Sequence, residues 1–193
     1  MNAMPRSNGP GVRGFTLVEL LVVVALGAIV IALVGPSMRD LLSRQRLRGI
    51  NSELVSDIQF ARAEAVRRSF PVHVRFGSNS LMTCYVVYIP GGWMGTVPNG
   101  CDCTRQPTQA CGGNFQEIKT VQVPRTLKVT LAASSAADNF KFDWRTGQSD
   151  PGDFSIDATS LTGGALRTNV NPAGRPAVCS PEGSIPQVQR CPE

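Results

Sequence analysis

The chain has 193 residues, 42% of them apolar, with a formal net charge of +5 and an isoelectric point near 9.1. That length admits one domain and an appendage. The charge is uneven: residues 39–75 hold eight arginines against four acids, whereas 76–193 hold nine basic and nine acidic residues, which counts against a protein that coats nucleic acid with its whole surface.

The chain opens on MNAMPRSNGPGVRG, with Arg6, Arg13 and no acid, followed by the apolar run FTLVELLVVVALGAIVIALV. As a helix, residues 15–34 span roughly 30 Å, the thickness of a bilayer's hydrocarbon core. A positive flank stays cytoplasmic, so the bulk of the chain is expected on the other side of the membrane. Glu19 is the anomaly in this run. Burying it in a bilayer costs on the order of 3 kcal/mol, and an intramembrane acid calls for a partner. A secretory signal fits badly, because GPSMRD after Val34 is a poor small-residue cleavage site. A plain anchor explains the length of the run but not its acid.

Beyond Gly35 and Pro36 the helical pattern resumes. Leu47, Ile50, Leu54, Ile58, Ala61 and Ala65 fall on one face, with Arg44, Arg48, Arg62 and Arg68 mostly off it. Pro71 closes the element. The whole helix, from Phe15 to about Arg68, would measure roughly 80 Å, bent or locally melted at Pro36.

The remainder reads as β. Strand-like stretches are VHVRFG (72–77), TCYVVYI (83–89), FQEIKTVQV (115–123), TLKVTL (126–131), FKFDW (140–144), FSIDA (154–158), LRTNV (166–170) and GRPAVC (174–179). FKFDW alternates, which puts Phe140, Phe142 and Trp144 on one side. Gly163 and Gly164 mark a turn. Between Pro90 and Gly113 lies a long loop with three cysteines, of the kind that is functional or tied down.

All six cysteines, Cys84, Cys101, Cys103, Cys111, Cys179 and Cys191, follow the apolar run. An even count on one side of a membrane-like segment points to an oxidising compartment. Buried free thiols are the plainer alternative. Zinc is a weaker one, because Cys101 and Cys103 are too close for the usual ligand spacing and the lone histidine, His73, is distant. Cys179 and Cys191 are expected to pair across SPEGSIPQVQR, a segment with little means of packing itself. Of the three ways to pair the other four, Cys101 with Cys111 and Cys84 with Cys103 is preferred, the others staying open.

These features carry a resemblance. GFTLVELLVVVALGAIVIALVGP resembles the class III signal of type IV pilins and type II secretion pseudopilins. The resemblance implies peptidase cleavage after Gly14, N-methylation of Phe15, an assembly role for Glu19, and a helix interruption at Pro36. In a bundle of such helices Glu19 would meet the amine of a neighbouring subunit, which turns a costly charge into half of a pair. Phe140, Phe142, Asp143 and Gly147, with Gly174, Arg175 and Cys179, resemble the GspH/FimT branch. Ala177 stands where that branch has a second arginine.

The implied fold is α+β and pilin-like: a long N-terminal helix, half membrane-spanning and half amphipathic, packed on a C-terminal antiparallel β domain. The implied organisation is a leader at 1–14, an assembly helix at 15–70 and a β-rich domain at 71–193. The chain is expected in the inner membrane as a single-pass protein, its domain periplasmic, and then in a pilus or pseudopilus. Expected partners are other pilins and the prepilin peptidase. The expected function is that of a minor pilin that primes or caps a type IV pilus. The alternatives are a minor pseudopilin of type II secretion and a DNA-binding minor pilin, whose contacts would fall on Arg167, Arg175 and Arg190. No catalytic triad, metal cluster, cofactor site or phosphate loop is visible, so no enzyme activity is expected.

Overall fold

The computed structural model describes residues 14–91 and 100–192. Contacts divide the chain into two units, Met1–Arg39 and Asp40–Glu193. One helix, α1 (Leu17–Arg68), contributes to both. Its helical assignment runs through Gly35 and Pro36, so the local melting expected there does not occur. A proline deletes one hydrogen bond of the ladder, and the helical turns on either side hold without it.

In the first unit every described side chain of α1 is exposed, including Leu20, Leu21, Val23, Ile29 and Ile31. Among the described residues no helix is long and apolar enough to cross a membrane. Most of the leader, residues 1–13, lies outside the described residues, as does 92–99 of the long loop.

In the second unit, Leu47, Leu54, Ile58, Ala61 and Ala65 are buried, with Ile50 half-buried beside them. This is the face the periodicity selects. The helix ends in a two-bond cap: Phe70 N–H donates to the Ala65 carbonyl and Ser69 N–H to that of Val66, both at 3.2 Å. Ser69 sits at φ 53°, the left-handed position that ends many helices. Pro71 then prevents resumption.

Among the described residues nine strands follow: β1 (Val72–Ser78), β2 (Met82–Ile89), β3 (Gln116–Pro124), β4 (Val129–Ala133), β5 (Asn139–Phe142), β6 (Ser149–Asp150), β7 (Phe154–Ser160), β8 (Ala165–Val170) and β9 (Pro176–Cys179). They form two antiparallel sheets, ordered β3-β2-β1-β5-β6 and β4-β7-β8-β9. One apolar core joins both sheets to the helix. Val72, Val74, Tyr85, Phe140 and Phe142 enter from the first sheet, and Leu131, Phe154, Ile156, Leu166 and Val170 from the second. The fold is thus α+β, a helix packed on antiparallel sheets.

Two strand readings need correction. TLKVTL is not one strand: residues Arg125–Leu127 form a 3₁₀ turn, Lys128 takes φ 58°, and β4 starts at Val129. The chain changes sheets here, after Pro124, which has no N–H to donate. FKFDW ends as a strand at Phe142, because the Asp143 carboxylate accepts the N–H groups of Arg145 (2.8 Å) and Thr146 (2.9 Å) and turns the chain. Trp144 lies past the strand's end, half-buried, and still packs against the core that Phe140 and Phe142 enter.

Strand β2 is buried on both faces. Tyr85 and Val87 join the main core, while Cys84, Val86 and Tyr88 form a second cluster with Cys101, Cys103 and Ala110, flanked by Phe115. The 100–115 segment thus covers the sheet face that points away from α1.

Candidate functional site

The start of α1 is built around Thr16. Its hydroxyl accepts the N–H of Glu19 at 3.2 Å, and its carbonyl accepts that of Leu20 at 3.2 Å. Thr16 is therefore the N-cap, and Thr16-Leu17-Val18-Glu19 has the spacing of a capping box. Glu19 lies in the first turn, where the helix dipole favours a negative charge. Phe15 and Glu19 are exposed, and Glu19 makes no ion pair among the described residues. The capping role of Thr16 is legible in the T-x-x-E spacing.

The two C-terminal sequence motifs meet on the helix. Gly147 closes the Asp143 turn at φ 66°, and its carbonyl accepts Arg62 Nε at 2.9 Å. Gly174, at φ 70°, presses against the same place. A Cβ there would lie 2.8 Å from the Gly147 carbonyl oxygen, 2.9 Å from Phe142 and 3.1 Å from Arg62. Asn171 holds the second turn, accepting Gly174 N–H on its backbone carbonyl and Arg175 N–H on its side chain. The glycines are needed for close approach, and Arg62, which sequence periodicity leaves mostly off the buried face, is the post both turns pack against.

Polar pairs fasten α1 to the sheets. The Tyr85 hydroxyl donates to Asp57, whose other oxygen takes Lys119 Nζ at 2.8 Å. The Thr168 hydroxyl donates to Asn51 at 3.1 Å. Within the helix itself, Glu64 accepts a fork from Arg67 and a bond from Arg68, and Arg68 also donates to Gln116 of β3. Arg67 above all holds the Glu64 carboxyl down at about 2. Burial raises the Tyr85 phenol, and Asp57 adds to that. Asn51, Asp57 and Glu64 are buried polar residues of α1 that the apolar periodicity does not select. Their signal is that they share the heptad-spaced face of the buried leucines.

All six cysteines are bridged: Cys84–Cys103, Cys101–Cys111 and Cys179–Cys191. These are the pairs the sequence analysis prefers. Burial pushes the Glu117 carboxyl up, but the Thr120 hydroxyl and the N–H groups of Thr108, Ala110 and Cys111 outweigh it and hold it below its ordinary value. Glu117 is thus the anchor of the bridged loop. The segment between Cys179 and Cys191 does pack: Ile185 is fully buried in the main core, and Arg48 donates to the Pro186 carbonyl.

The three arginines considered for DNA are not equivalent. Arg167 is forked onto Asp157 of the neighbouring strand at 2.7 and 2.9 Å. Arg175 and Arg190 are exposed. They sit at opposite ends of β9, Arg175 just before it and Arg190 bridged to Ser180 just after it. The structure does not gather the three into one patch. Among the described residues no group of three or more His, Cys, Asp or Glu could hold a metal ion.

A long N-terminal helix with a capped Gly-Phe-Thr start, packed further along on antiparallel sheets, defines a pilin-type subunit. Comparison with known families agrees. Residues 51–174 match the family described as type II transport protein GspH, and residues 10–35 match the prokaryotic N-terminal methylation motif. The chain belongs to the GspH family of pilins and pseudopilins, which are membrane-anchored subunits processed by a prepilin peptidase and assembled with other pilins. No significant match to a curated protein or to a solved structure was found.

Proposed function

We propose that this chain is a minor pilin that helps prime or cap a type IV pilus. Cleavage after Gly14 frees the amine of Phe15, which becomes methylated, and residues 15–34 anchor the subunit by a single span until it enters the filament. Glu19 then faces the amine of a neighbour. Its first-turn position supports this, because it stands one helical turn from the new terminus, where an axial neighbour can reach it. The role is architectural and not catalytic.

The observation that carries the choice of a pilus is the doubly bridged cover over β2. Two disulfides, a buried cluster and the Glu117 anchor build a compact outer face suited to exposure beyond the cell envelope. The second reading, a minor pseudopilin of type II secretion, is favoured by the description of the matching family. Deleting the gene in its host and scoring pili and secreted enzymes separates the two. Loss of pili with normal secretion supports the first, and the converse supports the second.

A further inference from the structure

A groove of about 790 Å³ runs between the last turns of α1 and the turn before β9. Ala63, Val66 and Pro176 supply its apolar lining, while Arg62, Arg67 and Arg175 supply its charge. No acid lines it. Val66 is 54% exposed, an aliphatic side chain that the fold leaves uncovered.

The three arginines are committed to different degrees. Arg62 spends Nε on the Gly147 carbonyl, and Arg67 is forked onto Glu64. The Arg175 guanidinium has no hydrogen-bond or ion-pair partner among the described residues, yet its backbone is fixed by Asn171 and by the tight seating of Gly174. A free guanidinium on a fixed base is a pre-organised fork for a carboxylate.

We propose that this groove docks an extended acidic polypeptide segment of a neighbouring subunit. Apolar side chains of that segment lie over Val66 and Pro176, and one of its carboxylates takes Arg175. The proposal rests on the assembly reading above, which supplies the neighbour. Charge complementarity selects an acidic occupant, since every charged residue lining the groove is a cation. The lining favours polypeptide over nucleic acid. It holds no aromatic side chain on which a base could stack, and two of its three arginines are already engaged, whereas a nucleic-acid backbone is held by several free cations.

The test uses the full-length chain in detergent and fluorescence anisotropy. The probes are a labelled peptide that alternates Asp or Glu with Leu or Val, its lysine counterpart, and a labelled DNA duplex. The acidic peptide should bind and the lysine peptide should not. Arg175→Ala and Val66→Asp should each weaken binding about tenfold or more. Val66→Ser, a milder change at the same exposed site, should weaken it in the same direction. Arg105→Ala, on the remote bridged loop, should leave it unchanged. The proposal is overturned if the acidic peptide does not bind, if Arg105→Ala matters as much as Arg175→Ala, or if the duplex displaces the peptide in an Arg175-dependent way. Glu19→Ala should bind the peptide normally, so failure of this groove and failure of the assembly reading are read separately.

Discussion

The Tyr85 hydroxyl donates a 2.7 Å hydrogen bond to Asp57, tying the middle of β2 to the buried face of α1. Lys119 Nζ closes the arrangement from β3, 2.8 Å from Asp57 and 3.3 Å from Glu53. The two partners of Asp57 differ in environment. Tyr85 is fully buried, whereas the Lys119 side chain is 38% exposed and can rehydrate if released. Tyr85→Phe should therefore cost about 2 kcal/mol, as loss of a buried bond to a charged group. Lys119→Met should cost less, under about 1 kcal/mol. Urea unfolding followed by near-ultraviolet circular dichroism measures both, and the reverse order would refute this assignment.

The contrast explains what the sequence discloses and what it hides. The helix, its buried apolar face and most strands are legible because a period of 3.6 or 2 shows directly which side chains turn inward. Asp57 and Asn51 are not, because a buried polar residue reads as a break in the pattern until its partner is known, and Tyr85 and Thr168 give no hint of that partnership in one dimension. Glu64 differs, since Arg67 and Arg68 stand three and four residues on along the same helix. Strand β6 escapes for another reason: two residues, Ser149 and Asp150, carry no period at all. The end of β5 at Phe142 depends on the Asp143 side chain, which competes locally with the strand. At the site, the signal glycine, Phe15 and Glu19 are legible from residue type and spacing. The convergence of Gly147 and Gly174 on Arg62 is not, since it joins positions far apart in the chain.

Among the described groups Glu64 and His73 are lowered furthest, and Asp102, Glu117 and Asp143 are lowered as well. Glu64 has a folded pKa of about 2, below its ordinary value of 4.5, chiefly through the Arg67 hydrogen bond. Its contribution is present above pH 4.5 and is lost as the pH falls towards 2. His73 has a folded pKa of about 4, below its ordinary 6.5, because burial disfavours the charged ring and Lys141 adds to that. The unfolded chain then binds the extra proton, so stability falls as pH drops from 6.5 to 4, by up to about 3 kcal/mol. His73→Gln should flatten the upper window and Glu64→Gln the lower one. Thermal melts between pH 7 and pH 2 show whether each variant acts in its own window.

The three bridges should not be interchangeable. In the chain-entropy picture each of these loops contributes about 3 kcal/mol. Cys101 and Cys111 hold the cover over β2, outside the main core, whereas Cys179–Cys191 closes the segment that buries Ile185 within it. Cys101→Ala with Cys111→Ala should speed hydrogen exchange in 100–115 and leave α1 and β7 protected. Cys179→Ala with Cys191→Ala should lower protection across the main core as well. Exchange mass spectrometry distinguishes the two patterns, and uniform loss in both variants would show that the cover and the core unfold together.

DNA binding by this chain should be weak at physiological salt, and the arginines explain why. Arg167 is spent on Asp157, so Arg167→Ala should reduce stability without changing affinity for a duplex. Arg175 and Arg190 are exposed but separated by the length of β9, roughly 13 Å for four residues, so they do not act as one clamp. Ala177 and Arg175 both line a second hollow, separate from the groove on α1 and also lined by Asp153, and Ala177 is exposed. Ala177→Arg would place a second free guanidinium beside the first, on a strand that β8 already holds in register. That variant should bind a duplex more tightly than the parent. The slope of log affinity against log salt should also steepen by roughly 0.9 for each phosphate newly contacted. A shift assay across salt concentrations reads both effects. If Ala177→Arg changes neither affinity nor slope, the hollow does not face a phosphate backbone, and the single arginine at this turn is not what keeps the parent chain's affinity low.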